Sequence, residues 1–196
     1  MILLEAFFRV GGPGYYLIIL VFMALLVGLY LWGNSRKDQR SRADDLTRKY
    51  QILDDAKLAA VPDEEVVEAV AANLMAKLDR RRPDPYKTIP LLSHGRCVVY
   101  SVWLVCRELD EAGFEEFFVS PSSAFGELAA DGLEEIGAGR CAAVLRSALA
   151  ATPQTEELAE LHADYLEAME QEQPLALCVP YIRDNAADFV DAAREA

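Results

Sequence analysis

Metal binding and nucleophilic chemistry in this 196-residue chain would have to draw on two histidines and four cysteines. His94 and Cys97 stand one helical turn apart, so both could lean on one ion. A zinc site needs further ligands, and no third or fourth lies nearby in sequence. Cys97, Cys106, Cys141 and Cys178 show no CxxC pair and sit among apolar neighbours. Such cysteines act as small hydrophobes, and reduced buried thiols are expected of them. Asp131, Glu134 and Glu135, and again Glu156, Glu157 and Glu160, have the spacing of a diiron helix but lack its Glu-x-x-His partner. There is no G-x-S-x-G elbow, no P-loop and no dinucleotide fingerprint. The chemistry-bearing residues therefore point away from an enzyme, a metal centre or a cofactor.

Charge carries more information. The formal net charge is −13. From Arg107 to the end there are 20 acids and 5 bases, so all of the excess lies there. No base occurs between Arg107 and Arg140. Direct nucleic-acid binding through this half is excluded as an expectation, since phosphate neutralisation needs Lys and Arg. The acids must face water or a basic partner, because burying an unpaired carboxylate is very costly. Glu111, Glu115, Glu116, Asp131, Glu134, Glu135, Glu156, Glu160, Asp164 and Glu167 are the candidates for a partner-binding acidic face. A solvated, solubilising surface is the plainer account of the same residues.

The elements that must carry these residues read as helices. Pro62 or Asp63 opens one whose stripe is Val66, Val67, Val70, Leu74 and Leu78. Arg80-Arg81-Arg82 would complement its C-terminal dipole. Ser93 can cap the next helix, with Gly113 as its stop. Phe114 to Val119 makes a short second helix, Ser120-Pro121-Ser122 a turn, and a further helix ends at Gly137. Helices from Gly139 and from Thr155 follow, the latter with His162 on its acidic, solvent side. The last contains Pro180, as a kink or a first turn. No segment alternates with period two, so the fold class is all-α, a compact multi-helix bundle.

Several local sequences stand together: Ala112-Gly113-Phe114, Phe117-Phe118, Ser122-Ser123, Leu133-Glu134-Glu135-Ile136-Gly137-Ala138, then Tyr181-Ile182-Arg183-Asp184-Asn185 and Phe189. This set, from roughly Val98 to Val190, resembles the signature of a bacterial family named after a small acidic DNA-mimic protein. Two positions depart from it: Glu111-Ala112 and Ser120 stand where the family has Asn-Gly and Asn. The resemblance implies a non-enzymatic protein that binds a basic partner, such as a DNA-binding regulator, through acids that imitate phosphate charge. The alternative is an enzyme or small-ligand domain with a pocket near Phe114, Phe117 and Phe118.

Before the domain lies a different kind of sequence. Tyr15 to Trp32 is an unbroken apolar run of 18 residues. As a helix it would span roughly 27 Å, close to the bilayer hydrocarbon thickness. Aromatics flank it, and Arg36, Lys37, Arg40 and Arg42 follow it. The positive-inside rule then places the C-terminal side in the cytoplasm. The expected organisation is a leader over 1–14, one transmembrane helix over 15–33 in the inner membrane, a polar helical stalk or linker over 34–61, and an acidic helical domain over 62–196. Oligomeric state stays open, a dimer included.

Overall fold

The computed structural model describes residues 20–23, 42–77, 92–150 and 155–191. The chain divides into two compact units, Met1–Asp45 and Leu46–Ala196. In the first, residues 20–23 and 42–45 are helical, and Leu20, Val21, Phe22 and Met23 are all exposed. Among the described residues no helix is long and apolar enough to cross a membrane. The expected leader over 1–14 and most of the expected span over 15–33 lie outside the described residues, as do 34–41 and Arg80-Arg81-Arg82.

In the second unit, every regular element among the described residues is helical. Residues 46–49 are helical and lead into α1, Asp55–Ala60, which Asp54 caps by accepting from the Lys57 amide at 2.8 Å. The region read from sequence as a polar stalk contributes Tyr50, Leu53, Leu58 and Val61 to the core. Their spacing is too irregular to show as a stripe, because a turn and a six-residue helix separate them.

α2, Asp63–Lys77, opens on Asp63, Glu64 and Glu65, which favour its positive end. Its burial exceeds the expected stripe. Val66, Val67, Ala69, Val70, Ala71, Ala72, Asn73 and Leu74 are all buried, so neighbours close on it from more than one side. The alanines make that possible, since small side chains let other helices approach closely.

α3, His94–Val119, packs against α2 and against most of the later helices. It is broken at Gly113, whose φ of 77° interrupts helical geometry at the expected place. The segment beyond carries Phe114 and Phe117 inward. A 3-10 turn, Pro121–Phe125, leads to α4, Gly126–Glu135. α5 is Gly139–Ala150, α6 is Thr155–Glu172 and α7 is Pro174–Asp184. α6 and α7 meet at Gln173, which takes the left-handed conformation with φ 49°. Pro174 marks the first turn of α7 and Pro180 lies inside it. A last 3-10 turn, Ala186–Asp188, closes the fold.

Two local expectations change. Ser93 does not cap α3 with its side chain; its Oγ donates to the Asp188 carbonyl, and the Asp188 carboxylate takes the Gly95 amide at 2.9 Å. The cap thus comes from 93 residues downstream, where no local pattern could announce it. His162 is half-buried rather than solvent-facing. It lies four residues after Leu158 and three before Tyr165, both buried, so helical spacing turns it to the same side.

Candidate functional site

The residues that carry the family resemblance prove to be scaffold. Phe114 and Phe117 are each 1% exposed. Phe114 stacks on Phe118 at 5.9 Å and meets Tyr165 edge-on at 5.7 Å and His162 edge-on at 6.1 Å. Phe114 and Phe117 pack in the core between α3 and α6, with Phe118 half-buried beside them. The His162 ring also covers Gly113, about where a Cβ would project.

The serines after the aromatic pair have an equally local task. Ser120 Oγ donates to Glu108 Oε2 at 2.9 Å, and Ser122 Oγ donates to Glu108 Oε1. Glu108, one turn before the kink, thereby fixes the 3-10 turn against α3. Ser120 makes this bond at the position where the resemblance would have an Asn, so a short hydroxyl serves there.

The end of α4 is a Schellman motif. The Ala138 amide donates to the Leu133 carbonyl at 2.7 Å, and the Gly137 amide donates to the Glu134 carbonyl at 3.1 Å. Gly137 has φ 92°, which is why glycine stands there. Leu133 and Ala138 are both fully buried, supplying the apolar contact that accompanies this cap. The Leu-Glu-Glu-Ile-Gly-Ala sequence is therefore a helix terminator.

The closing motif ties helices together. Tyr181 Oη donates to Glu135 Oε1 at 2.6 Å. Burial and this carboxylate both push the Tyr181 phenol up from its ordinary pKa. Arg183 donates to the Leu58 carbonyl at 2.7 Å and to the Val61 carbonyl at 2.6 Å, and it pairs with Asp63 at 2.7 Å. Ile182 and Phe189 are core residues.

The ten candidate acids fall into two groups. Five are engaged within the chain. Glu111 pairs with Arg107 at 3.1 Å. Arg146 forks between Asp131, at 2.9 Å, and Glu134. Glu167 pairs with Arg140 at 3.3 Å and accepts from Gln171. Glu135 accepts from His94 Nε2 at 2.8 Å as well as from Tyr181. Four others, Glu115, Glu116, Glu160 and Asp164, are exposed and have no side-chain partner among the described residues. The side chain of Glu156 lies outside the described residues.

The structure brings part of the second group onto neighbouring elements. Glu115 and Glu116 directly follow Phe114, which packs on His162 and Tyr165 of α6. Glu160 and Asp164 lie on that same helix. Val119, 81% exposed, sits one turn beyond Glu115 and Glu116, and Leu166 is also exposed.

Two acids missed in the sequence matter most to the fold. Glu172 accepts from the Arg140 amide at 2.9 Å and the Cys141 amide at 2.8 Å, so it caps α5 from the end of α6. Burial works against its charge, but those two amides prevail and lower its pKa. Asp191 gathers Lys77, Arg96, Asn73 and the Leu53 amide. Burial would raise its carboxyl, yet the donors hold it at about 2. Neither acid could be told from its neighbours by spacing.

All four cysteines are free thiols. Burial pushes Cys106 up to about 11 and Cys178 up to about 12, and raises Cys141 further. Cys106 Sγ lies 3.5 Å from the Tyr165 hydroxyl. Thiols so protonated are poor nucleophiles and poor ligands. Among the described residues, no group of three or more His, Cys, Asp or Glu side chains could hold a metal ion.

No curated protein and no solved structure matches this chain. A family model does: residues 91–194 match that of the DMP19-like proteins. The match runs from the approach to α3 through the closing turn and takes in the kink, the Schellman end and the Arg183 tie. Covering more than half of the chain, it shows that this protein belongs to the DMP19-like protein family.

Proposed function

We propose that this protein is a membrane-anchored interaction module whose acidic surface docks a basic partner, in the manner of a DNA mimic facing a DNA-binding regulator. The observation that carries the reading is the set of exposed carboxylates without partners among the described residues: Glu115, Glu116, Glu160 and Asp164. An incoming cation would meet each of them directly. By contrast, Glu111, Asp131, Glu134 and Glu167 already have an arginine within 4 Å, which a partner would have to displace. Membership of the DMP19-like family supports the same direction. The nine described acids of the candidate face then form a field of two strengths, strongest where α3 ends beside α6.

The anchor is part of the proposal. The apolar run over 15–33 would cross the inner membrane once, leaving the helical domain in the cytoplasm. The described piece of that run, residues 20–23, is helical with its apolar side chains exposed, as a lipid-facing segment would be. Fractionation and labelling of the C-terminus test this part, and a full-length product in the soluble fraction or a periplasmic C-terminus would refute it.

The binding claim is tested by capture of partners on full-length protein at low and high salt. Capture should fall steeply with salt, since exposed charges are screened within a Debye length of about 8 Å at physiological ionic strength. It should be lost on Lys substitution at Glu115, Glu116, Glu160 and Asp164, all of which sit outside the core. A partner retained at high salt and by that charge-reversed variant would remove the electrostatic reading.

A further inference from the structure

The chain's entry into the helical domain is held by its own closing segment. Leu53 and Asp191 exchange bonds: the Asp191 amide donates to the Leu53 carbonyl at 2.7 Å, and the Leu53 amide donates to Asp191 Oδ2 at 3.0 Å. Asn73, buried on α2, donates to the Tyr50 carbonyl at 2.9 Å and to Asp191 Oδ2 at 3.0 Å. Arg183, on α7, holds the Leu58 and Val61 carbonyls and Asp63. α1 also packs against the closing 3-10 turn at Ala186–Asp188. The segment 46–61 is thus attached through four buried side chains, through bonds to Asn73 and Glu65 of α2, and through bonds to Asp191 and Arg183 near the other end of the chain.

Its own structure gives it little to stand on. α1 has six residues, well below the length at which a helix persists alone. Ile52 is 60% exposed and adds nothing to the core. The bundle proper is different: α3 alone buries fourteen residues along its length. Regions with few buried contacts and mostly peripheral hydrogen bonds open before the rest of a domain.

We propose that Asp191 and Arg183 form a clasp on residues 46–61, and that this segment opens as a unit while the bundle behind it stays folded. Closed, the clasp fixes the point at which the preceding chain joins the domain. Open, it adds a leash: at about 3.3 Å per extended residue, residues 46–61 reach roughly 50 Å. The device would set how far the binding surface travels from whatever precedes Leu46. The family match begins at residue 91, so the clasp residues Arg183 and Asp191 belong to the family region and the clasped segment does not.

Electrostatics make Asp191 the decisive member. Arg96 is 8% exposed, its Nη2 donates to Asp191 Oδ1 and to the Phe189 carbonyl, and its Nε has no partner among the described residues. Lys77 Nζ lies 2.6 Å from the same carboxylate. Removing the negative charge leaves two cations facing each other beside the closing segment, which then cannot hold Leu53 in place.

Hydrogen exchange on the full-length chain tests the proposal. In the unmodified protein at rising urea, amides of 46–61 should exchange through an opening independent of the one that exposes 126–150. In Asp191→Asn, exchange in 46–61 should rise by about 10- to 100-fold, and that in 126–150 by a similar factor, because global unfolding also breaks the clasp. Leu133→Ala, a core truncation remote from the clasp, should instead speed 126–150 and leave 46–61 unchanged, because Leu133 stays packed when the clasp opens. Equal rates for the two regions in the unmodified protein would overturn the clasp, and so would a Leu133→Ala protein in which both regions speed together. Should Asp191→Asn fail to fold, the urea series on the unmodified protein decides alone.

Discussion

Replacing Gly95 by Ala sets local propensity against tertiary fit. Gly95 lies in the first turn of α3, the central helix of the bundle. Propensity alone favours alanine there, by up to about 1 kcal/mol for a full helix interior and less in a first turn. The structure gives the opposite sign. A Cβ at Gly95 would stand 2.9 Å from Asp188 Oδ2, 3.0 Å from Asp188 Cβ and 3.0 Å from Phe189 Cζ. Phe189 is fully buried and meets Tyr181 edge-on, so its ring cannot retreat freely. Asp188 can move only by giving up the Gly95 amide, which is the cap of α3. Overpacking of this kind costs about 1–3 kcal/mol, and a lost cap costs about 0.5–2 kcal/mol. Net of the propensity gain, Gly95→Ala should destabilise the chain by about 1–3 kcal/mol. Urea unfolding followed by far-UV circular dichroism reads the difference as a lower midpoint at unchanged slope. Gly139→Ala is the internal control, because a Cβ there meets nothing within 4 Å and should leave stability the same or slightly higher. A Gly95→Ala protein as stable as the parent, or more stable, would refute the close approach of the closing turn to α3.

Two further outcomes follow from the same contacts. With a thiol reagent near neutral pH, Cys97, which is only half-buried, should react first, while Cys106, Cys141 and Cys178 react only after denaturant is added. Fast labelling of all four in the folded protein would contradict their burial. Acid should destabilise the chain through Asp191. Its folded pKa of about 2 lies below the ordinary 3.8, so its contribution is present above the unfolded value and is lost as pH falls through the folded one. The shift corresponds to about 2 kcal/mol, visible as a falling urea midpoint from about pH 4 downward. Asp191→Asn should flatten that part of the curve, and an unchanged acid limb in the variant would assign the effect to other carboxylates.

Much of the helical organisation follows from short-range pattern. The break at Gly113, the aromatic segment behind it, the turn at Pro121 and the end of α4 at Gly137 all sit where glycine, proline and apolar spacing put them. The signature residues were legible for the same reason: a Schellman end or a kinked helix is written in the residues that form it. Cys106, Cys141 and Cys178 were readable too, since apolar neighbours at helical spacing bury a thiol without help from afar, whereas Cys97 is only half-buried.

The pairing of charges was not legible. Thirty-two acids and nineteen bases permit many partners, and spacing along the chain does not say which helices become neighbours. Only the packed bundle decides that Arg146 forks to Asp131 and Glu134 while Glu115 and Glu116 go without a partner among the described residues. The same holds for the caps supplied by Asp188 and Glu172, which reach 93 and 31 residues along the chain. It holds as well for residues 46–61, which look like a polar linker until Asp191 and Arg183 draw them onto the core. Composition and local pattern by themselves determined an acidic, helical kind of chain. Which of its charges are free to meet a partner was decided by tertiary structure, because neutralisation depends on distance in space and not on distance in sequence.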